Sequence, residues 1–231
     1  LVFRYFNPFY APILRDFAVL LQDRGYWPLL LEMSNDNDIE EALLMAFRYR
    51  VDGIVITSAN LTSTLADRCQ RLGVPVVLFN RYTLMGGVNA VRCDNAAGGR
   101  MAADALLDGG AQSIAYIAGD KHSSTNRDRE KGFVERLEER GSSVTHGDRG
   151  DYTYESGYAA AQRLLGGESR PDSIFVACDM MALGVLDCAR FELGIKVPEE
   201  LRVVGFDGIP MAGWPSYSLT TLRQPVKEMI D

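Results

Sequence analysis

Short β-branched runs alternate with stretches of helical apolar spacing along nearly the whole chain, a recurrent switch of hydrophobic period that leaves few folds open. Runs at 1–5, 28–32, 53–57 and 75–79 have the character of strands. Between the first two, Ile13, Leu14, Phe17, Leu20 and Leu21 recur on one helical face before Gly25 stops the helix. Helices are expected over 39–49 and 62–72. The second half repeats the theme, with strands at 113–118, 173–177 and 202–206 and helices near 96–107, 127–140, 155–165 and 180–192. Parallel strands joined by crossover helices satisfy this order, so the class is α/β.

The 231 residues exceed the roughly 100–200 usual for one domain, so two lobes are expected. The 95–99 turn is the expected first passage between them, and 219–225, a strand-like SLTTL closed by a proline, the return. The lobes are placed at 1–94 and 95–221, with 222–231 crossing back. Residues 51–80 and 171–207 share a layout: an acidic and a small residue, a buried strand, a helix ending in Leu-Gly, and a strand ending in Phe plus a polar residue. Asn80 and Asp207 are counterparts in that alignment, although similar α/β units also arise without duplication.

In open parallel sheets, ligands bind beyond the carboxyl ends of the strands. Asn7, Pro8 and Phe9 follow the first strand, Thr57 and Ser58 the third, and Asn80 and Arg81 the fourth. In the other half the corresponding places hold 120–129, Asp151 and Tyr152, Cys178 and Asp179, and Asp207. A carboxylate, a guanidinium fork and aromatic faces suit a hydroxylated ligand and offer no obvious nucleophile. The blander readings are turns and caps: Asp179 as the N-cap of the helix it opens, Ser123, Ser124 and Thr125 as caps, Tyr152 as a surface aromatic, Phe9 as a core one. Asp207 and Arg129 resist that reading. A charge at the end of a buried strand, or a cation in a helix's first turn, wants a partner.

Several function classes are disfavoured. Net charge is −7 with no Lys/Arg block, which argues against direct contact with a phosphate backbone. The four cysteines, Cys69, Cys93, Cys178 and Cys188, lack metal spacing and sit in apolar or small-residue contexts, as reduced core thiols do; a cytoplasmic protein is expected. No apolar run approaches the ~20 residues of a membrane span. GxGxxG, Walker and GxSxG motifs are absent, Gly98/Gly99 and Gly109/Gly110 fit a turn and a helix stop, and His122 and His146 fall in polar stretches. No cofactor or metal is expected.

The stretch SIFVACDMMALGVLDCARFELGIKVPEELRVVGFDGIPMAGWPSYSLTTLRQPVKEMI (173–230) resembles the C-terminal signature of LacI/GalR-type transcription regulators. NPFY (7–10), DGIVIT (52–57), PVVLFNR (75–81), CDNAAGG (93–99), IAYIAG (114–119) and NRDREKGFVERLEERG (126–141) extend the likeness over nearly the whole chain. The resemblance implies two doubly wound parallel-sheet lobes of the type I periplasmic-binding-protein kind, joined by crossovers, with a small effector in the cleft and no enzymatic activity. It implies a homodimer, and operator DNA read by a helix-turn-helix before residue 1. Closing strands would lie beyond residue 231, so a longer regulator is expected.

Carried over by position, Arg129 matches the arginine that grips the effector, Asp207 the aspartate that accepts from it, and Asn80 a polar cleft residue. Tyr152 falls where relatives place a stacking aromatic, Phe9 matches a first-loop contact, and Gln224 a crossover residue near the cleft. Cys178 stands where relatives often have Asn, and Gly208 where many have a second Asp or Asn. The rival readings are a secreted sugar-binding protein of a transporter, which Asp207-Gly208 slightly favours, and a small-molecule enzyme on a Rossmann-like fold.

Overall fold

The β-branched runs become parallel strands whose central members are covered on both faces, as crossover helices require. The computed structural model describes residues 1–3, 7–33, 38–57, 63–83 and 88–231, for residues 63, 64 and 66 the backbone alone; the expectations touching Tyr5, Ser58 and Thr62 lie outside the described residues. Two units form, one from Leu1–Cys93 with Pro225–Asp231, the other from Asp94–Gln224.

The first unit runs β1 (Val2–Phe3), α1 (Tyr10–Asp23), β2 (Leu31–Glu32), α2 (Ile39–Arg48), β3 (Ile54–Thr57), α3 (Ser63–Arg71), β4 (Val76–Phe79) and β5 (Asn89–Val91). Its strands lie in the order β2-β1-β3-β4-β5, every pair parallel. Val2, Met33, Leu43, Ile54, Ile56 and Leu78 fill the core, and the amphipathic α2 supplies Ile39, Ala42 and Ala46 to it.

The second unit runs α4 (Asn95–Asp108), β6 (Ile114–Ala118), α5 (Ser124–Glu139), β7 (Val144–Arg149), α6 (Tyr154–Leu165), β8 (Ser173–Val176), α7 (Asp179–Asp187), β9 (Arg202–Asp207) and β10 (Thr220–Arg223). A π-helical turn, Cys188–Glu192, extends α7, where the sequence suggests one uninterrupted helix. The strand order is β10-β9-β8-β6-β7, again parallel throughout. Counted from the first strand of each sheet, both units have the same order, second-first-third-fourth-fifth. The aligned segments 51–80 and 171–207 are then β3-α3-β4 and β8-α7-β9, in equivalent third and fourth places.

Some expectations need correction. Residues 95–99 are not a turn but the start of α4, whose N-cap Asp94 accepts from the Ala97 amide at 2.9 Å. Gly98 and Gly99 are packing residues. A Cβ on Gly98 would strike the Phe206 ring, and one on Gly99 the Arg129 backbone; reciprocally, one on Gly132 would overlap the Ala96 carbonyl. Gly157 and Gly184 make α6 and α7 cross as closely. The edge strand β7 went unseen because its burial alternates and its sequence, VTHGDR, carries charges and a glycine; His146 lies in it. The exposed β5 and the short α8 (Val226–Ile230), which lies by α1, left no pattern either.

Replacing Asp94 by alanine removes the α4 cap and is expected to cost about 1 kcal/mol. Denaturant midpoints of wild type and variant, at unchanged m-value, check this.

Candidate functional site

In the second unit, every candidate residue lies at or just past a strand's carboxyl end, or on the helix that follows it. Arg129 projects from the second turn of α5, one turn later than the sequence suggested, because Ser123 caps the helix and Ser124 begins it. Its side chain is only 2% exposed. Its guanidinium donates from Nε to Asn95 Oδ1 at 2.9 Å, from Nη1 to the Ala177 carbonyl at 2.5 Å and from Nη2 to Asp207 Oδ1 at 3.3 Å. The plane rests 3.7 Å from the centroid of the Phe206 ring. A buried cation is thus neutralised, forked and stacked at once, which is how the fold tolerates its desolvation.

Asp207 ends β9 with φ of 124°, a backbone conformation that side-chain-bearing residues rarely adopt. Its Oδ1 accepts from Arg129 and from Gln224 Nε2 at 2.8 Å, while Oδ2 accepts from none of the described residues. Burial pushes its carboxyl up to about 7 despite Arg129, and the neighbouring Asp179 adds to the rise. Cys178, directly after the carbonyl that holds Arg129, is wholly buried. Burial, then the Asp207 charge, drives its thiol far above the ordinary thiol range, so it stays protonated and is a poor nucleophile.

Tyr152 sits one strand end away with φ of 71°, its ring over Gly119, where a Cβ would collide with it. Asn126 Oδ1 fixes that strand end by accepting from the Gly119 amide at 2.6 Å and the Tyr116 hydroxyl at 3.0 Å. Asp179 does not cap α7. Cys178 holds the N-cap place without a side-chain bond, and the Asp179 carboxylate reaches across to the backbone after β9.

Phe9 and Asn80 belong to the first unit, where Tyr10 links them. Asn80 Nδ2 donates to the Tyr10 hydroxyl at 3.4 Å, and the Phe9 and Tyr10 rings meet edge to face at 5.2 Å. Phe9 is buried, as the core reading also holds. Asn80 directly follows β4 with φ of 63°, and its buried Oδ1 accepts no hydrogen bond from the described residues. The structure therefore gathers Arg129, Cys178, Asp207 and Gln224, sets Tyr152 at an adjacent strand end, and joins Phe9 to Asn80 separately. Sequence reasoning missed Tyr10, Asn95 and Phe206 as partners. Tyr10 stood within the quoted NPFY and Asn95 within CDNAAGG, and the buried Arg129 was the signal that such partners had to exist.

The profile of the family described as "Periplasmic binding protein-like domain" matches residues 103–231. The HTH-type transcriptional repressor PurR of Yersinia enterocolitica is 31% identical over 229 residues, covering 96% of this chain and 66% of the relative. The chain therefore spans just under two thirds of the length of the curated relatives it matches. A LacI transcriptional regulator from a Rhodococcus species superposes with TM-score 0.89 at 27% identity, covering 99% of this chain and 85% of that one. The transcriptional regulator CelR in complex with cellobiose gives TM-score 0.89 at 30% identity, covering 99% of this chain and 73% of that one.

Proposed function

Since the chain belongs to the periplasmic binding protein-like domain family, as the effector-binding domain of a LacI-type regulator, we propose that it binds a small, hydroxylated effector and that the whole protein uses this to control operator binding. The observation that carries the reading is the buried Arg129–Asp207 pair at the carboxyl end of β9, with Asp207 Oδ2 left to accept from a ligand hydroxyl. Gln224 orients that carboxylate, Cys178 presents a small unionised wall, and Tyr152 supplies an aromatic face for C–H surface. Phe9 and Asn80 contribute from the first unit, where Asn80 Oδ1 is a second acceptor. CelR was solved with cellobiose, which supports a sugar or sugar derivative as the ligand class.

The effector shifts the protein between conformations only by its unequal affinity for them, and about 1–3 kcal/mol of coupling is enough for useful switching. DNA is contacted by a helix-turn-helix outside residues 1–231, paired in a homodimer whose two-fold axis matches a palindromic site. The named relatives are regulators, which favours this reading over a transporter's binding protein.

A thermal-shift panel of sugars, sugar acids, polyols and nucleobases, cellobiose among them, tests the ligand class. A compound binding only the folded state at a hundred times its Kd adds about 2.7 kcal/mol of stability. Calorimetry of the hit on Arg129→Ala and Asp207→Ala then tests the site. Unchanged binding by both variants sinks the assignment.

The raised Asp207 carboxyl gives a signed pH prediction. A ligand hydroxyl donating to Oδ2 needs the ionised form, so affinity holds above pH 7 and falls by up to about tenfold per pH unit below it. The ligand-free protein responds the opposite way. Its folded carboxyl titrates near 7 and the unfolded one near 3.8, so the folded state binds the extra proton between them and this group's contribution to stability grows as pH falls through that window. Isothermal titration from pH 5.5 to 8.5 reads the first effect, and a flat profile in Asp207→Asn identifies its source.

A further inference from the structure

Asp179 is fully buried, yet it does not cap its own helix and pairs directly with no cation among the described residues. Its Oδ2 accepts from the amides of Gly208 at 2.7 Å and Ile209 at 2.9 Å, and its Oδ1 from the Thr221 hydroxyl at 2.5 Å. The carboxylate fits there because Gly205 has no side chain, and a Cβ at that place would overlap Oδ1. Two of the donors, Gly208 and Ile209, follow Asp207 directly, and the third, Thr221, stands on the neighbouring β10 opposite Gly205, two residues before the Arg223 that pairs with Asp207.

A residue at φ of 124° keeps that conformation only when its surroundings over-determine it. The amides immediately after Asp207 are therefore where a restraint is needed, and Asp179 holds both. From the other side, the Gln224 amide donates to the Asp207 carbonyl at 3.3 Å. We propose that Asp179 is a positioning residue for Asp207, clamping the chain after β9 so that the Asp207 carboxylate is held toward Arg129 and Gln224 with one oxygen left for a ligand. This deepens the reading of Asp207 as the effector's acceptor and rests on it only for its functional meaning.

The groups facing Asp207 are Arg129 from α5, Cys178 and Asp179 from the start of α7, and Gln224 with Arg223 from the end of β10. Asp179 is the one other carboxylate among them, and burial raises its own carboxyl as well. The clamp thus acts on Asp207 both through the backbone and through like charge.

The test needs no effector. Side-chain carboxyl 13C spectra of the 231-residue chain follow the Asp207 titration, its resonance assigned by its loss in Asp207→Asn, while amide exchange is read at Gly208 and Ile209. In Asp179→Asn the two amides are expected to exchange at least about tenfold faster, and the Asp207 midpoint to fall by about one pH unit as the like charge leaves. In Thr221→Val, which keeps the backbone clamp but removes a bond that favours the ionised Asp179 carboxylate, Asp179 carries less charge and a smaller fall in the same direction is expected, and this variant carries the test if Asp179→Asn fails to fold. Faster exchange with an unmoved Asp207 titration makes Asp179 a loop tether only and overturns the proposal, as do unchanged amides. Failure of every sugar to bind would sink the effector reading and leave this result standing.

Discussion

Arg129→Ala is expected to lower the stability of the second unit by about 3–5 kcal/mol and to abolish effector binding. The loss exceeds that of any single hydrogen bond because the substitution strands several groups together. Asn95 Oδ1 and the Ala177 carbonyl lose their donors, the Phe206 ring loses its covering plane, and Asp207 is left as a buried carboxylate without its counter-ion. Asp207 then responds by holding its proton more tightly, which removes the acceptor a ligand would use. A double-mutant cycle with Asp207→Asn separates these effects. The double variant should recover part of the loss, since a neutral amide no longer demands a cation. Chemical denaturation of the four proteins reads the cycle, and strictly additive losses would show that the two side chains are not coupled.

Gly132→Ala is expected to cost about 3 kcal/mol or more, and the melting temperature to fall by about 6 °C or more. What a methyl group meets there is the Ala96 carbonyl on α4, a backbone atom that no side-chain rotation can move aside. The helices must separate. Arg129 sits on α5 three residues earlier and reaches Asn95 on α4, so separation also pulls the guanidinium off its partner. Weaker effector binding should therefore accompany the lost stability, in a residue that contacts no ligand. Gly167→Ala, where an added Cβ meets nothing within 4 Å, is the control and should stay within about 0.5 kcal/mol.

These two sites also mark where the sequence was readable. Buried strands such as β6 and β8 announce themselves, because burial on both faces requires unbroken apolar runs. Arg129 and Asp207 were legible as charges in places that needed partners, and the family likeness placed them in a binding role. Their actual partners were not, since Asn95 and Phe206 are distant in the chain and each has an ordinary local excuse, a turn residue and a core aromatic. Asp179 misled for the same reason. An aspartate opening a helix looks like a cap, and only the folded backbone after β9 reveals a rival set of amides. Gly98 and Gly99 misled in the reverse sense, since paired glycines suggest a turn until the opposing helix is in view.

Asn80 and Asp207 close equivalent fourth strands of two sheets wired alike, and both carry positive φ. Each position is in effect a socket whose backbone is set by the topology and whose chemistry is set by one side chain, an amide in one case and an acid in the other. Such sockets can be re-tuned one codon at a time without redrawing the architecture around them. Taste for a new small molecule can then drift while the scaffold that reports its arrival stays the same.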